Sequence, residues 1–279
     1  MSLSIEKKEY LNSLCKQCRI DLIHLLHKVQ SGHPGGSLSA TEIIVSLYFE
    51  KMNINPKEPN WPSRDRFILG KGHSAPMLYL ALAEKGYFPK EELQTLRQIN
   101  SHLQGHPCAL ETSGVELSTG PLGLGLAAGV GMAAAARLNN ENCYTYVLVG
   151  DGETDEGIIW EAAMSASKFK LNHLIAILDN NGVQLDGTVN EIMPLGNIKA
   201  KWESFGWSVI ETDGHDVEAI CDAIDKAKTV KEKPVIIIAK TVKGKGVSFM
   251  EGKNTWHGKA IGQEDYIRAI NELGGVING

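Results

Sequence analysis

Two short clusters, Asp151-Gly152 and Asp179-Asn180-Asn181, could do chemistry together. An apolar run from Tyr144 to Gly150 delivers the first cluster, and a second run, Leu174 to Leu178, delivers the second. Between them Glu153 to Phe169 is acidic and then apolar, which predicts a helix. A strand–helix–strand unit makes the two strands parallel, so both clusters emerge on one sheet edge, where open α/β sheets bind ligands. An Asp and an Asn on that edge then offer one carboxylate and one amide oxygen. That sparse, hard set suits Mg²⁺, which takes one or two carboxylates and completes its shell with water and substrate phosphates. Gly-Asp-Gly alone is a common turn; its pairing with Asn180-Asn181 at the next strand end is far more specific.

The histidines divide by context. His33, His73, His106 and His257 each sit in a glycine-flanked loop: Ser31-Gly-His33-Pro-Gly-Gly36, Lys71-Gly-His73, Gly105-His106-Pro107 and Trp256-His257-Gly258. Such loops bring imidazoles close to a ligand at little steric cost. Without the short spacing of a local metal cluster, they point to proton transfer and hydrogen bonding with a hydroxylated, anionic substrate. His24 and His27 read as a packed or solvated helix face, and His102 and His173 carry no motif. His215, in Asp213-Gly-His-Asp216, reads as a helix start capped by Asp216 or Asp213.

The elements that must hold these groups follow from periodicity. Strands are expected at 67–69, 144–150, 174–178, 207–210 and 235–239. Helices are expected at 3–30, 75–85, 90–98, 122–138, 153–169, 197–205, 216–230 and 263–273, with another opened by a capping box, Ser39-x-x-Glu42, and running through Phe49. Strands alternating with helices indicate the α/β class, a doubly wound, mostly parallel sheet flanked by helices. The segment Leu122 to Leu138 is mostly Gly and Ala, which predicts a buried helix tightly crossed with another. Its Gly123-Leu-Gly125 is no dinucleotide fingerprint, because no strand precedes it and the third glycine is misplaced. Gly182 to Pro194 reads as a loop that is mobile without ligand. Lys240 to Lys245 reads equally as a solvated turn or an aid to an anion.

Composition bounds the rest. The 279 residues, 43% of them hydrophobic, suit one large domain over 1–279. A net charge of −5 without a basic run argues against nucleic acid. No apolar stretch spans a bilayer and the start lacks a signal core, so a cytoplasmic protein is expected. Cys15-x-x-Cys18 lies in a helical pattern with Leu11, Leu14 and Leu22 and reads as buried thiols rather than a zinc site.

The motifs together resemble transketolase. Ser31-Gly-His-Pro-Gly-Gly36, Arg64-Asp-Arg-Phe-Ile-Leu-Gly-Lys-Gly-His73, Thr119-Gly-Pro-Leu-Gly123, Gly150-Asp-Gly152, Asp179-Asn-Asn181 and Trp256-His-Gly258 occur in family order across essentially the whole chain. The resemblance implies the thiamine diphosphate-binding fold, with thiamine diphosphate and Mg²⁺ as cofactors and Ca²⁺ or Mn²⁺ as substitutes. It implies Asp151, Asn181 and the Val183 carbonyl as metal ligands. His73, Gly120, Gly152, Asn181 and His257 become cofactor contacts, with Leu122 and Leu185 beneath the thiazolium. His33, His106 and His257 become substrate-side groups that shuttle protons. Glu156 and Glu161, both placed on the helix after Asp151, become partner-facing acids in different directions. The family's second domain, with the activating glutamate, the pyrimidine pocket and the arginines for the sugar phosphate, is not in this sequence. The chain therefore looks like the N-terminal, diphosphate- and Mg-binding subunit of a split transketolase. A C-terminal subunit would complete an α₂β₂ heterotetramer acting on sugar phosphates, with a silent homodimer through the Gly/Ala helix when alone. Rival readings are the α subunit of a 2-oxo acid dehydrogenase, a deoxyxylulose phosphate synthase type, and a non-catalytic cofactor-binding scaffold.

Overall fold

Five parallel strands, β1 (Arg66–Leu69), β2 (Thr145–Gly150), β3 (Leu174–Asn180), β4 (Ser208–Asp213) and β5 (Val235–Lys240), form one sheet in the order β1-β2-β3-β5-β4. The computed structural model describes residues 3–277. Along β2, Tyr146 and Leu148 point to one face and Val147 and Val149 to the other, and both sets are buried. Ile175 and Ile177 against Ala176 and Leu178 repeat this on β3. Helices cover both faces, so the strands read as continuous apolar runs instead of alternating ones.

One face carries α1 (Ile5–Val29), α2 (Pro34–Ser39), α3 (Thr41–Ser46), α4 (Ala75–Lys85), α9 (Val217–Thr229) and α10 (Gln263–Leu273). The other carries α5 (Leu124–Leu138), α6 (Gly157–Lys168) and α8 (Ile198–Ser204), packed through Leu126, Ile159 and Trp202. The short α7 (Val189–Ile192) lies between β3 and α8. Cys15 and Cys18 are buried on α1, and their thiol pKa values are pushed up, Cys18 to about 12, chiefly by burial. Among the described residues no helix is long and apolar enough to cross a membrane.

Several local expectations are corrected. The expected capping box at Ser39 does not form: Ser39 ends α2 and its hydroxyl donates to Asp179 at 2.6 Å, while Glu42 pairs with Arg19. A tertiary partner outcompetes the local cap. The glycine-flanked loop around His33 separates α1 from α2 but is shorter than expected: Gly35 and Gly36 are already helical, started by Pro34 in the first-turn position that proline tolerates. Residues 90–98 form a 3₁₀ turn at Lys90–Thr95 rather than an α-helix. The Gly/Ala helix α5 is close-packed against both a helix and the sheet: a Cβ on Gly123 would stand 2.5 Å from Ile158 of α6, one on Gly125 2.8 Å from the Gly70 Cα, and one on Gly129 2.6 Å from Val147. Its outward side, with Leu124, Gly131, Ala135 and Leu138, is exposed, so the helix is not buried all round. The segment 182–194 contains a bridge between Val183 and Thr188 and a capping box at Thr188 and Glu191.

Candidate active site

The register of β2 on β3 pairs Gly150 with Asp179, so Asp151 and Asn181 leave the sheet side by side at its C-terminal edge. Asp151 is buried; its carboxylate accepts from the N–H of Gly152 at 2.8 Å and of Gly182 at 2.5 Å. Burial, with the charge of Asp179 adding to it, pushes its pKa up to about 6, and those two bonds pull against the rise. The Asn181 side-chain oxygen accepts from the Val183 N–H at 3.1 Å.

These tips open into a cavity of about 310 Å³, of the size that holds a cofactor or small ligand. Its walls include Asp151, Gly152, Asn181 and Val183 from the strand ends, the histidines His33, His73, His106 and His257, and Gly120, Leu122 and Leu185. The four glycine-loop histidines thus meet: ring centroids lie 5.2 Å apart for His33 and His73, 5.3 Å for His33 and His257, 4.9 Å for His73 and His257, and 6.3 Å for His33 and His106. Gly36 permits this, since a Cβ there would sit 3.1 Å from the His73 Nε2. Burial, reinforced by Arg97 and His106, holds His33 down at about 4; burial and Lys243 hold His257 at about 3. His73 is depressed by burial and Lys71, and His106 by burial and Arg97. All four are neutral imidazoles at pH 7, each able to donate with one nitrogen and accept with the other. The buried Nδ1 of His33 has no protein partner among the described residues.

Two lysines that sequence reasoning did not place complete the site. Lys71 is buried and ion-paired with Asp179, which also accepts from Ser39 and Thr241. Burial opposes ionisation of Asp179, but Lys71 and these bonds outweigh it and hold the carboxyl below its ordinary range. Lys243, also buried, donates to the carbonyls of Val183 and Gln184 at 3.0 and 3.1 Å and lies 2.9 Å from the His257 Nδ1. Burial and Lys71 bring its pKa down to about 8, against the pull of Asp151 and Asp179. Lys243 is therefore not part of a solvated turn: it is buried and lines the cavity. Glu153, a third omission, ties the site together by accepting from Gly123 at 2.9 Å and Gly150 at 3.0 Å. For Lys71 the available signal was a lysine between two glycines at a strand end. For Glu153 there was none beyond its place after Gly152.

Glu156 and Glu161 stand apart. Both are exposed and neither lines the cavity. Glu156 occupies the N-cap of α6 with extended backbone, so the expectation that both lie on one helix is corrected.

The donor set fits a metal–diphosphate group. Among the described residues no three His, Cys, Asp or Glu side chains form a metal cluster. What the cavity offers instead is the Asp151 carboxylate, the Asn181 amide oxygen and the Val183 carbonyl, with the Glu153 carboxylate taken up by backbone N–H groups, beside the Lys243 ammonium, which bonds carbonyls and an imidazole rather than a carboxylate. Hard oxygens for a cation next to a positive charge for its anion is the arrangement such a pair requires.

Comparison with known proteins agrees with this geometry. The family model described as transketolase, thiamine diphosphate binding domain, matches residues 11–276. A 6-deoxy-6-sulfo-D-fructose transketolase subunit of Clostridium sp. (strain MSTE9) is 47% identical, over 88% of this chain and 90% of its own. An apulose-4-phosphate transketolase subunit of Phocaeicola vulgatus is 41% identical, over 95% of this chain and 94% of its own. The solved transketolase of Leishmania mexicana superposes with a TM-score of 0.90 at 33% identity, over 95% of this chain but only 41% of that longer one. The chain belongs to the transketolase family and carries its N-terminal thiamine diphosphate-binding domain.

Proposed function

We propose that this chain, as a single domain, is the subunit of a two-chain transketolase that anchors thiamine diphosphate and Mg²⁺. With a separate C-terminal subunit carrying the pyrimidine-binding domain, it transfers a two-carbon ketol unit from a ketose phosphate to an aldose acceptor. The observation that carries this reading is the single cavity where Asp151 and Asn181 face four neutral histidines and Lys243. The subunit names of relatives matched over most of their length support the split arrangement. They weigh against the readings as a 2-oxo acid dehydrogenase or deoxyxylulose phosphate synthase type, or as a scaffold.

When bound, thiamine diphosphate supplies the carbanion that makes and breaks carbon–carbon bonds. Asp151, Asn181 and the Val183 carbonyl would hold the Mg²⁺, with Ca²⁺ or Mn²⁺ able to replace it. His73, Gly120, Gly152, Asn181 and His257 would contact the cofactor from its diphosphate side, and Leu122 and Leu185 would press on its thiazolium ring. His33, His106 and His257, uncharged at pH 7, would bond the hydroxyls of the donor sugar and move its protons. Glu156 and Glu161, both exposed, would face a partner chain. An α₂β₂ assembly in the cytoplasm follows most simply, with a homodimer when the chain is alone.

A pentose phosphate donor is the default. The named substrates of the Clostridium and Phocaeicola relatives favour a second reading, a sulfosugar or a branched ketose phosphate. Ketol transfer by the reconstituted pair, assayed with a pentulose phosphate, a sulfoketose and a branched ketose phosphate, tests both. Turnover of one of them is expected; pyruvate decarboxylation instead would refute the assignment.

A further inference from the structure

Arg19 on α1, Glu42 on α3 and His215 just before α9 form a largely buried polar network, and none of the three lines the cavity. Arg19 grips Glu42 with two bonds, Nη1 to Oε1 at 2.6 Å and Nη2 to Oε2 at 2.7 Å. The same Oε2 lies 2.9 Å from the His215 Nδ1. The other ring nitrogen, Nε2, accepts from the Val242 N–H at 2.8 Å. Accepting at Nε2 commits the proton to Nδ1, which donates to Glu42, so both nitrogens are spoken for.

Val242 is the residue before Lys243. Beyond the lysine, the Lys245 carbonyl accepts from Arg19 Nε at 3.0 Å, and the Gly244 N–H donates to Gly35 at 3.0 Å. One ionic network therefore grips the turn on both sides of Lys243. A buried ion pair gains little stability over a well-packed apolar replacement, so stability alone is a poor reason to place three polar groups here. A lysine head group is carried on four flexible carbons, and its aim depends on a fixed backbone.

We propose that His215, oriented by Glu42 and Arg19, is a positioning residue that fixes the Val242–Lys245 turn so that the Lys243 ammonium meets the cofactor's diphosphate. This rests on the reading of the cavity as the diphosphate site. A glutamine can replace both bonds of the imidazole, accepting from Val242 through its carbonyl and donating to Glu42 through its amide. An asparagine is too short to span them.

The test is calorimetric titration of thiamine diphosphate with Mg²⁺ into the full chain together with its partner chain, with melting temperatures recorded before cofactor is added. His215→Ala is expected to weaken binding roughly tenfold, the size of one lost charge-assisted contact, and His215→Gln to stay within about threefold of wild type. In a Lys243→Ala background, His215→Ala should weaken binding no further. Lower melting temperature with unchanged affinity marks a merely structural network and overturns the proposal. Glutamine no better than alanine, or a full effect of His215→Ala without Lys243, overturns it too. If His215→Ala does not fold, Gln against Asn decides: tighter binding by Gln supports the role, and equal binding refutes it. A wild-type pair that binds no cofactor refutes the reading of the cavity and the proposal with it; a wild type that binds while its variants match it refutes the positioning role alone.

Discussion

Asp151 is the residue on which cofactor binding should depend most. Asp151→Ala removes the only carboxylate among the expected metal ligands, and we expect Mg²⁺-dependent cofactor affinity in the reconstituted pair to fall by about 100-fold or more. Calorimetry with and without Mg²⁺ checks this, and an unchanged affinity would contradict the metal assignment. His33 gives a pH prediction. Its folded pKa near 4 lies below the ordinary imidazole value of 6.5, so between those two values the unfolded chain takes up a proton that the folded chain refuses. That stability is fully present above pH 6.5 and is lost as pH falls toward 4. Urea unfolding of the cofactor-free chain at about pH 7 and about pH 5 should therefore show a smaller loss for His33→Gln than for wild type; equal losses would count against the depressed value. The four histidines were legible because each sits in its own glycine-flanked loop. Lys243 was not, because the burial that separates it from the exposed Lys240 at the end of β5 arises only when its turn packs under Gly35.

At the level of elements, the strands were the most legible feature, since helices on both faces leave a continuous apolar run. The β-α-β unit from Thr145 to Asn180 carries its register with it, and that register is what brings Asp151 beside Asn181. The Gly/Ala content of α5 gave the close approach but only one of its two neighbours: Gly123 meets Ile158 of α6, while Gly125 and Gly129 meet the sheet. Small residues say that something comes close, and the composition of one helix cannot say whether that is a helix or a sheet. The two sides of α5 make this testable. Gly125→Val should destabilise the chain by about 1–3 kcal/mol or more through collision with the Gly70 backbone. Gly131→Ala, with nothing within 4 Å of the added carbon, should instead stabilise the isolated chain by about 0.5–1 kcal/mol. Denaturant midpoints compare the two, and similar losses for both would contradict the packing described. The Ser39 cap was misread for a related reason: its hydroxyl belongs to a long-range bond with Asp179 rather than to its own helix.

For the whole molecule, the proposed function makes the site half of a catalytic centre. This chain holds two carboxylates, Asp151 and Glu153, two ammonium groups, Lys71 and Lys243, and four imidazoles around one cavity, while exposed apolar residues such as Leu124, Met164, Leu185 and Met193 lie uncovered. Such surface is suited to a second chain. The motifs in the sequence pointed to a second chain through their resemblance to transketolase, but not to the apolar residues it would cover, because their exposure arises only from the fold. The direct measurement is ketol transfer from a ketose phosphate to an aldose by this chain alone, by the C-terminal chain alone, and by both together with thiamine diphosphate and Mg²⁺. Turnover only in the mixture, abolished by Asp151→Ala, is the result expected; full turnover by this chain alone, or a mixture indifferent to that substitution, would contradict the account.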